Sequence, residues 1–180
     1  MPNNQVQSHQ ALHSYCMYPD VSFDTQAADE QVILVLRAHP VTQISWIFNT
    51  FLFSVVLILV QFVLPDILAL RQIIFFNFFA VVFILSYIWI NFLNWFFNVG
   101  IVTDKRIVDI DFYSIIYKEL TKAELDKVED VTARSGGYFE SFFNYGDILV
   151  QTAGTQENIE FINIPNPSGV IEVINGLLGK

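Results

Sequence analysis

The hydrophobic pattern changes character along the chain. Residues 1–29 are rich in Asn, Gln, Ser, His and Asp and carry no apolar period, the pattern of an unstructured polar tail. Residues 30–43 form a juxtamembrane segment in which Val32-Ile33-Leu34-Val35-Leu36 runs apolar up to Arg37. That run is either a short strand or an interfacial helix, because five residues carry too little periodicity to separate the two. Two long apolar stretches follow, at residues 44–64 and 73–93, each 21 residues with 15 drawn from Leu, Ile, Phe and Val. Beyond Trp95 the period shortens to two, and short apolar runs alternate with polar turns.

Each apolar stretch predicts a transmembrane helix. At 1.5 Å per residue, 21 residues span about 30 Å, the hydrocarbon thickness of a bilayer. Fifteen strongly apolar side chains favour insertion by about 5–9 kcal/mol before the polar residues subtract their cost. A buried core helix is the competing reading, but the chain has too little else to bury two such helices. No Asp, Glu, Lys or Arg occurs between Arg37 and Asp66 or between Arg71 and Asp104. The connection at residues 65–72 is short and opens on Pro65, which cannot continue the first helix, so residues 44–94 form an antiparallel hairpin. Only Arg71 lies in the connection, whereas Arg37, Lys105 and Arg106 flank the other side. The basic residues therefore place both termini in the cytoplasm of a multi-pass cell-membrane protein. Trp46 and Trp95 lie at that same face. A cleaved signal peptide is not expected, since 43 mostly polar residues precede the first apolar stretch.

Four amides interrupt the apolar helices. In an antiparallel hairpin Asn49 falls at the depth of Asn91, and Gln61 at the depth of Asn77. Amide side chains bonded across the interface contribute about 1 kcal/mol each. A polar path for an ion or substrate would carry ionisable groups at mid-membrane, and none is present, so these pairs read as interhelical glue.

In the second half, Val108, Ile110 and Phe112 alternate with Asp109 and Asp111, which sets the carboxylates on one strand face. Further runs at residues 98–102, 115–120, 128–134, 148–153 and 159–164 are separated by polar turns, among them Thr103-Asp104-Lys105-Arg106, Gly136-Gly137 and Tyr145-Gly146-Asp147. The last element is a helix: Asn166 caps it, Pro167 occupies its first position, and Val170, Ile171, Ile174, Leu177 and Leu178 form its apolar stripe, with Gly179 to end it. The expected fold is a membrane α-helical hairpin followed, over residues 95–180, by a mainly-β barrel closed by a C-terminal helix. Val108, Ile110, Phe112, Ile148 and Val150 are expected to point inward.

The ordered set Ile101-Val102-Thr103-Asp104-Lys105-Arg106-Ile107, residues 125–131 and 142–146, Thr152-Ala153-Gly154 and Ile164-Pro165-Asn166-Pro167 resembles the bacterial pleckstrin-homology-like (PH-like) domain family, formerly a domain of unknown function. The resemblance covers roughly residues 30–178. It implies a membrane-tethered barrel, since many members place two transmembrane helices directly before the domain. It implies no catalytic residues.

Composition narrows the chemistry. Hydrophobic residues make up 53% and charged residues 15%, with 18 Phe and a mean hydropathy of +0.46, which excludes a disordered or collagen-like chain. A net charge of −9 excludes nucleic acid as a partner, because that binding needs clustered bases to displace counterions. Cys16 is the single cysteine, so no intrachain disulfide forms. His13 and Cys16 are two ligands short of a closed metal site. Asp109 and Asp111 form a D-x-D pair, which holds a metal and nucleotide in some glycosyltransferases, but here they read as the solvated face of a strand. No nucleophile elbow, phosphate loop, zinc spacing or dinucleotide fingerprint occurs. No catalytic, metal or cofactor site is expected, and the protein is not expected to be an enzyme.

Two binding roles remain. Lys105 and Arg106 are the candidate contacts for a lipid headgroup, yet residues 96–180 hold 13 acids against 7 bases, and that field repels an anionic membrane. The favoured reading is a membrane-anchored, non-catalytic interaction or assembly module. Its partners are the lipid bilayer and either another protein or a second copy of the chain. Tyr138, Phe139, Phe142, Phe143 and Tyr145 are its candidate contact patch, with packing in the core and at the membrane interface as the competing expectation for rings of this size.

Overall fold

A computed structural model describes residues 13–19, 21–23, 25–112, 118–153 and 158–179. The chain divides into two compact units. One is the helical segment Thr42–Trp95, and the other combines the flanking segments Met1–Val41 and Phe96–Lys180.

A 3-10 turn, Pro40–Gln43, leads into the helical unit, whose elements are α1 (Ile44–Val60), α2 (Leu64–Ile67) and α3 (Leu70–Phe97, its last two residues in the other unit). Neither long helix contains glycine or proline, and no side chain of the three helices is buried. Pro40–Val60 and Leu70–Phe97, 21 and 28 residues, are long and apolar enough to cross a membrane. Phe53 of α1 meets Phe83 and Tyr87 of α3 edge-on, at 6.5 and 5.9 Å between ring centroids, and Gln61 meets Asn77. These contacts run in opposite chain directions, so α1 and α3 are antiparallel. Two details depart from the sequence reading. The helix expected at residues 73–93 is longer at both ends. Pro65 does not end α1, which stops at Val60 rather than residue 64: it sits in the first turn of α2, where its missing N–H would have lacked a helical partner anyway.

The second unit is mainly β. Strands β1 (Tyr15–Met17), β2 (Val32–Leu36), β3 (Val99–Thr103), β4 (Arg106–Phe112) and β5 (Lys118–Glu124) form one antiparallel sheet in sequential order. Strands β6 (Val128–Arg134), β7 (Tyr145–Thr152) and β8 (Ile159–Pro165) form a second. Helix α4 (Tyr138–Phe143) lies between β6 and β7, and α5 (Pro167–Leu178) closes the chain. The expected barrel is therefore not closed: the described strands form two sheets with no ladder between them. A 3-10 turn at Leu125–Lys127 carries the chain from one sheet to the other. The sheets are joined by side-chain packing instead, through a cluster that includes Leu34, Val102, Ile107, Ile148, Val150 and Phe161. Val170 and Ile174 of α5 complete that cluster, each fully buried, and Asn166 accepts a bond from the Gly169 amide at the helix start.

The N-terminal boundaries also differ. Residues 15–17, expected in a polar tail, form β1, and the apolar run at residues 32–36 is a central strand buried along its whole length. Burial on both faces explains why that run does not alternate. The strand expected at residues 115–120 is observed as β5 from Lys118 onward; residues 115–117 lie outside the described residues.

The face of β4 is the sharpest correction. Ile107 belongs to the core between the sheets, whereas Val108 packs on the opposite face with Cys16, Val35 and Ile101, flanked by Phe23 and Ile110. Val108, Ile110 and Phe112 thus point away from the main core, while Ile148 and Val150 point into it. Side chains alternate, so Asp109 and Asp111 share the inner face with Ile107. Gly100, paired with Asp109, makes room there: a Cβ on it would lie 2.5 Å from the Phe161 ring.

Candidate functional site

The turn between β3 and β4 carries the only adjacent bases of the β unit, and the fold pairs both with acids. Glu30 lies two residues ahead of β2, its side chain 1% exposed. Its Oε1 accepts from Arg106 Nε and from the Thr103 hydroxyl, both at 2.8 Å. Its Oε2 accepts from Arg106 Nη2 at 2.8 Å and from the Ala27 amide at 2.9 Å. Arg106 also donates to the Thr25 carbonyl and lies over the Phe23 ring, 5.5 Å from its centroid. This two-pronged pairing holds the Glu30 carboxyl down at about 2, the Arg106 bonds outweighing the cost of burial. Thr103 is fully buried, and its hydroxyl also accepts from the Lys105 and Arg106 amides, which shapes the turn. Lys105 pairs with Asp29 at the exposed rim. A phosphate reaching this turn would have to displace Asp29 and Glu30. Sequence reading missed both acids because they lie more than 70 residues from their partners, and strand pairing alone brings them together.

The aromatic patch divides. Tyr138, Phe139 and Phe142 are 95%, 73% and 81% exposed, so the expectation of core burial fails for these three. Phe143 is only just exposed and meets the Phe142 ring edge-on at 5.0 Å. Tyr145, in β7, is half-buried and stacks on His39 at 5.4 Å. Helix α4 is held by its ends: Gly137 takes a φ of 110°, Glu140 accepts from the Gly136 amide, and Asn144 closes the turn with a φ of 53°.

Among the helical amides, Gln61 and Asn77 exchange two hydrogen bonds, Gln61 Nε2 to Asn77 Oδ1 at 2.6 Å and Asn77 Nδ2 to Gln61 Oε1 at 3.0 Å. Asn91 instead donates to the Tyr87 carbonyl of its own helix at 2.8 Å, and no bond joins it to Asn49. Matched depth brings such side chains level; the helix rotation decides whether they meet.

Asp109 and Asp111 are not on a solvated face. They line a cavity of about 270 Å³ with Arg37, Asn98, Glu160 and Phe161. Burial, with Asp111 alongside, pushes the Asp109 carboxyl up to about 7. Burial and Glu119, directly opposite on β5, push Asp111 up as well. No group of three or more metal-ligating side chains is assembled among the described residues.

Residues 48–178 match the Bacterial PH domain family, a span that starts within α1 and ends at the last residue of α5. No curated protein matches the chain. A crystal structure of a DUF1696 family protein with a pleckstrin-homology domain, from Shewanella loihica PV-4, is 12% identical, with 45% of this chain and 70% of that one covered and a TM-score of 0.37. The family match takes in α1 from Phe48, all of α3 and all the strands from β3 onward, and the chain belongs to the bacterial PH domain family.

Proposed function

We propose that this protein is a membrane-anchored, non-catalytic PH-domain module that serves interaction or assembly. Helices α1 and α3 span the cell membrane, and the β unit and both termini are cytoplasmic. Support for the anchor comes from the large apolar side chains along both helices, which are exposed to whatever surrounds the protein. Side chains such as Phe51, Phe75 and Phe83 would be costly in water and are stable in lipid.

One observation carries the choice of interaction over headgroup sensing: Arg106 is bound by a buried carboxylate and Lys105 by Asp29. Headgroup recognition needs convergent bases available to phosphate. With the surrounding acids in excess, the β unit is better suited to a protein surface than to anionic lipid. The test is a titration of the full chain, solubilised in neutral detergent, with the soluble headgroup glycerol phosphate at physiological salt. The expected result is no saturable change in the amide resonances of residues 103–106. Saturable binding that disappears in Lys105→Ala/Arg106→Ala would replace this reading with headgroup sensing.

A further inference from the structure

Helix α4 presents three nearly naked aromatic rings, Tyr138, Phe139 and Phe142, and no described element covers them. The rings are not on a slack loop. Gly137 and Asn144, both at positive φ, bracket the helix, Glu140 ties back to the Gly136 amide, and Ser141 donates to the Gly137 carbonyl. Glu140 is the helix's only charge, and its carboxylate is engaged at the helix start. The result is a compact apolar knob.

Its position within the β unit says what it meets. Tyr145, two residues beyond α4, stacks on His39, and the His39 amide donates to the Asn163 carbonyl at 2.7 Å. The unit ends at Val41, two residues after His39, where the chain passes toward α1. Within the β unit, the knob is therefore linked through Tyr145 to the stretch that ends at Val41, where the chain leaves the unit. Tyr concentrates at membrane–water interfaces, its ring apolar and its hydroxyl polar, and Phe supplies the apolar face of helices that lie in that interface. A tethered domain also needs little intrinsic affinity, because its contact with the bilayer is intramolecular. This mode uses no basic residues, in keeping with the pairing of Lys105 and Arg106 to acids.

We propose that α4 is an interfacial anchor, with Tyr138, Phe139 and Phe142 seated in the surface of the bilayer that α1 crosses. The proposal rests on the membrane-spanning reading of α1 and α3. It is tested with the full chain in vesicles of phosphatidylcholine, in a Cys16→Ser background, carrying one nitroxide label at Phe139→Cys, Phe83→Cys or Asp126→Cys. Collision with oxygen and with a nickel chelate reports the surroundings of each label. The label at 139 is expected to be oxygen-accessible and nickel-protected, as at 83 and unlike 126, at low and high salt alike. Adding Tyr138→Ser and Phe142→Ser should abolish that nickel protection. A lipid-like label at 83 with a water-like label at 139 overturns the anchor alone, whereas water-like labels at both overturn the spanning reading beneath it. Protection of 139 from both reagents, growing with protein concentration, assigns the knob to a second copy and also overturns the proposal.

Discussion

At the scale of single residues, two carboxylates show how burial and partners decide chemistry. Glu30 is buried yet charged, because four donors surround it. Asp109 is half-buried with Asp111 alongside and titrates near 7 rather than at the ordinary 3.8. A folded-state pKa raised above the unfolded value favours the fold when the group is protonated. That contribution is full below the ordinary value and is lost as pH rises through about 7. Replacing Asp109 by Asn removes the penalty, so Asp109→Asn should be more stable than the parent by about 2 kcal/mol at pH 8, with screening from its partial exposure taken into account. The advantage should fade toward pH 4. Thermal unfolding of the detergent-solubilised chain at both pH values checks this, and a gain independent of pH would assign the effect to something other than the carboxylate charge. The D-x-D pattern was visible in the sequence, but its face was not: alternation identifies two faces without saying which one the fold buries.

At the scale of elements, α5 was the most legible. Its cap, its proline and its apolar stripe all agree, and the stripe lies on the core as the spacing requires. Ile174 is fully buried within it, so Ile174→Asp places an unpaired carboxylate among apolar side chains and should cost at least about 3 kcal/mol. Loss of cooperative unfolding by near-ultraviolet circular dichroism is the expected signature; a parent-like transition would show that α5 is not docked. Strand β2 was the least legible. Five consecutive apolar residues fit a strand or a helix equally, and only pairing with β1 on one side and β3 on the other makes it central. The same is true of β1, whose three residues carry no pattern of their own.

At the scale of the whole molecule, the proposed topology makes a direct prediction. In a Cys16→Ser background, an impermeant thiol reagent applied outside intact cells should modify Leu68→Cys, in the connection between α1 and α3, and should spare Asp126→Cys in the β unit. The reverse pattern would invert the orientation argued from the basic residues. The two apolar helices, the strand-rich second half and the closing helix were all determined by the sequence alone. Each depends on composition or periodicity within a short window, where hydrophobic transfer and backbone geometry act locally. The tertiary structure decided that residues 15–17 and 32–36 join the β unit, that the strands form two sheets without closing, and that Ile107 rather than Val108 faces the core. It also decided that Arg106 is held by Glu30 and that Gln61 meets Asn77 while Asn91 turns back to its own helix. These outcomes depend on which distant segments pack together, because pairing across a long loop and the choice of buried face are settled by the whole core at once.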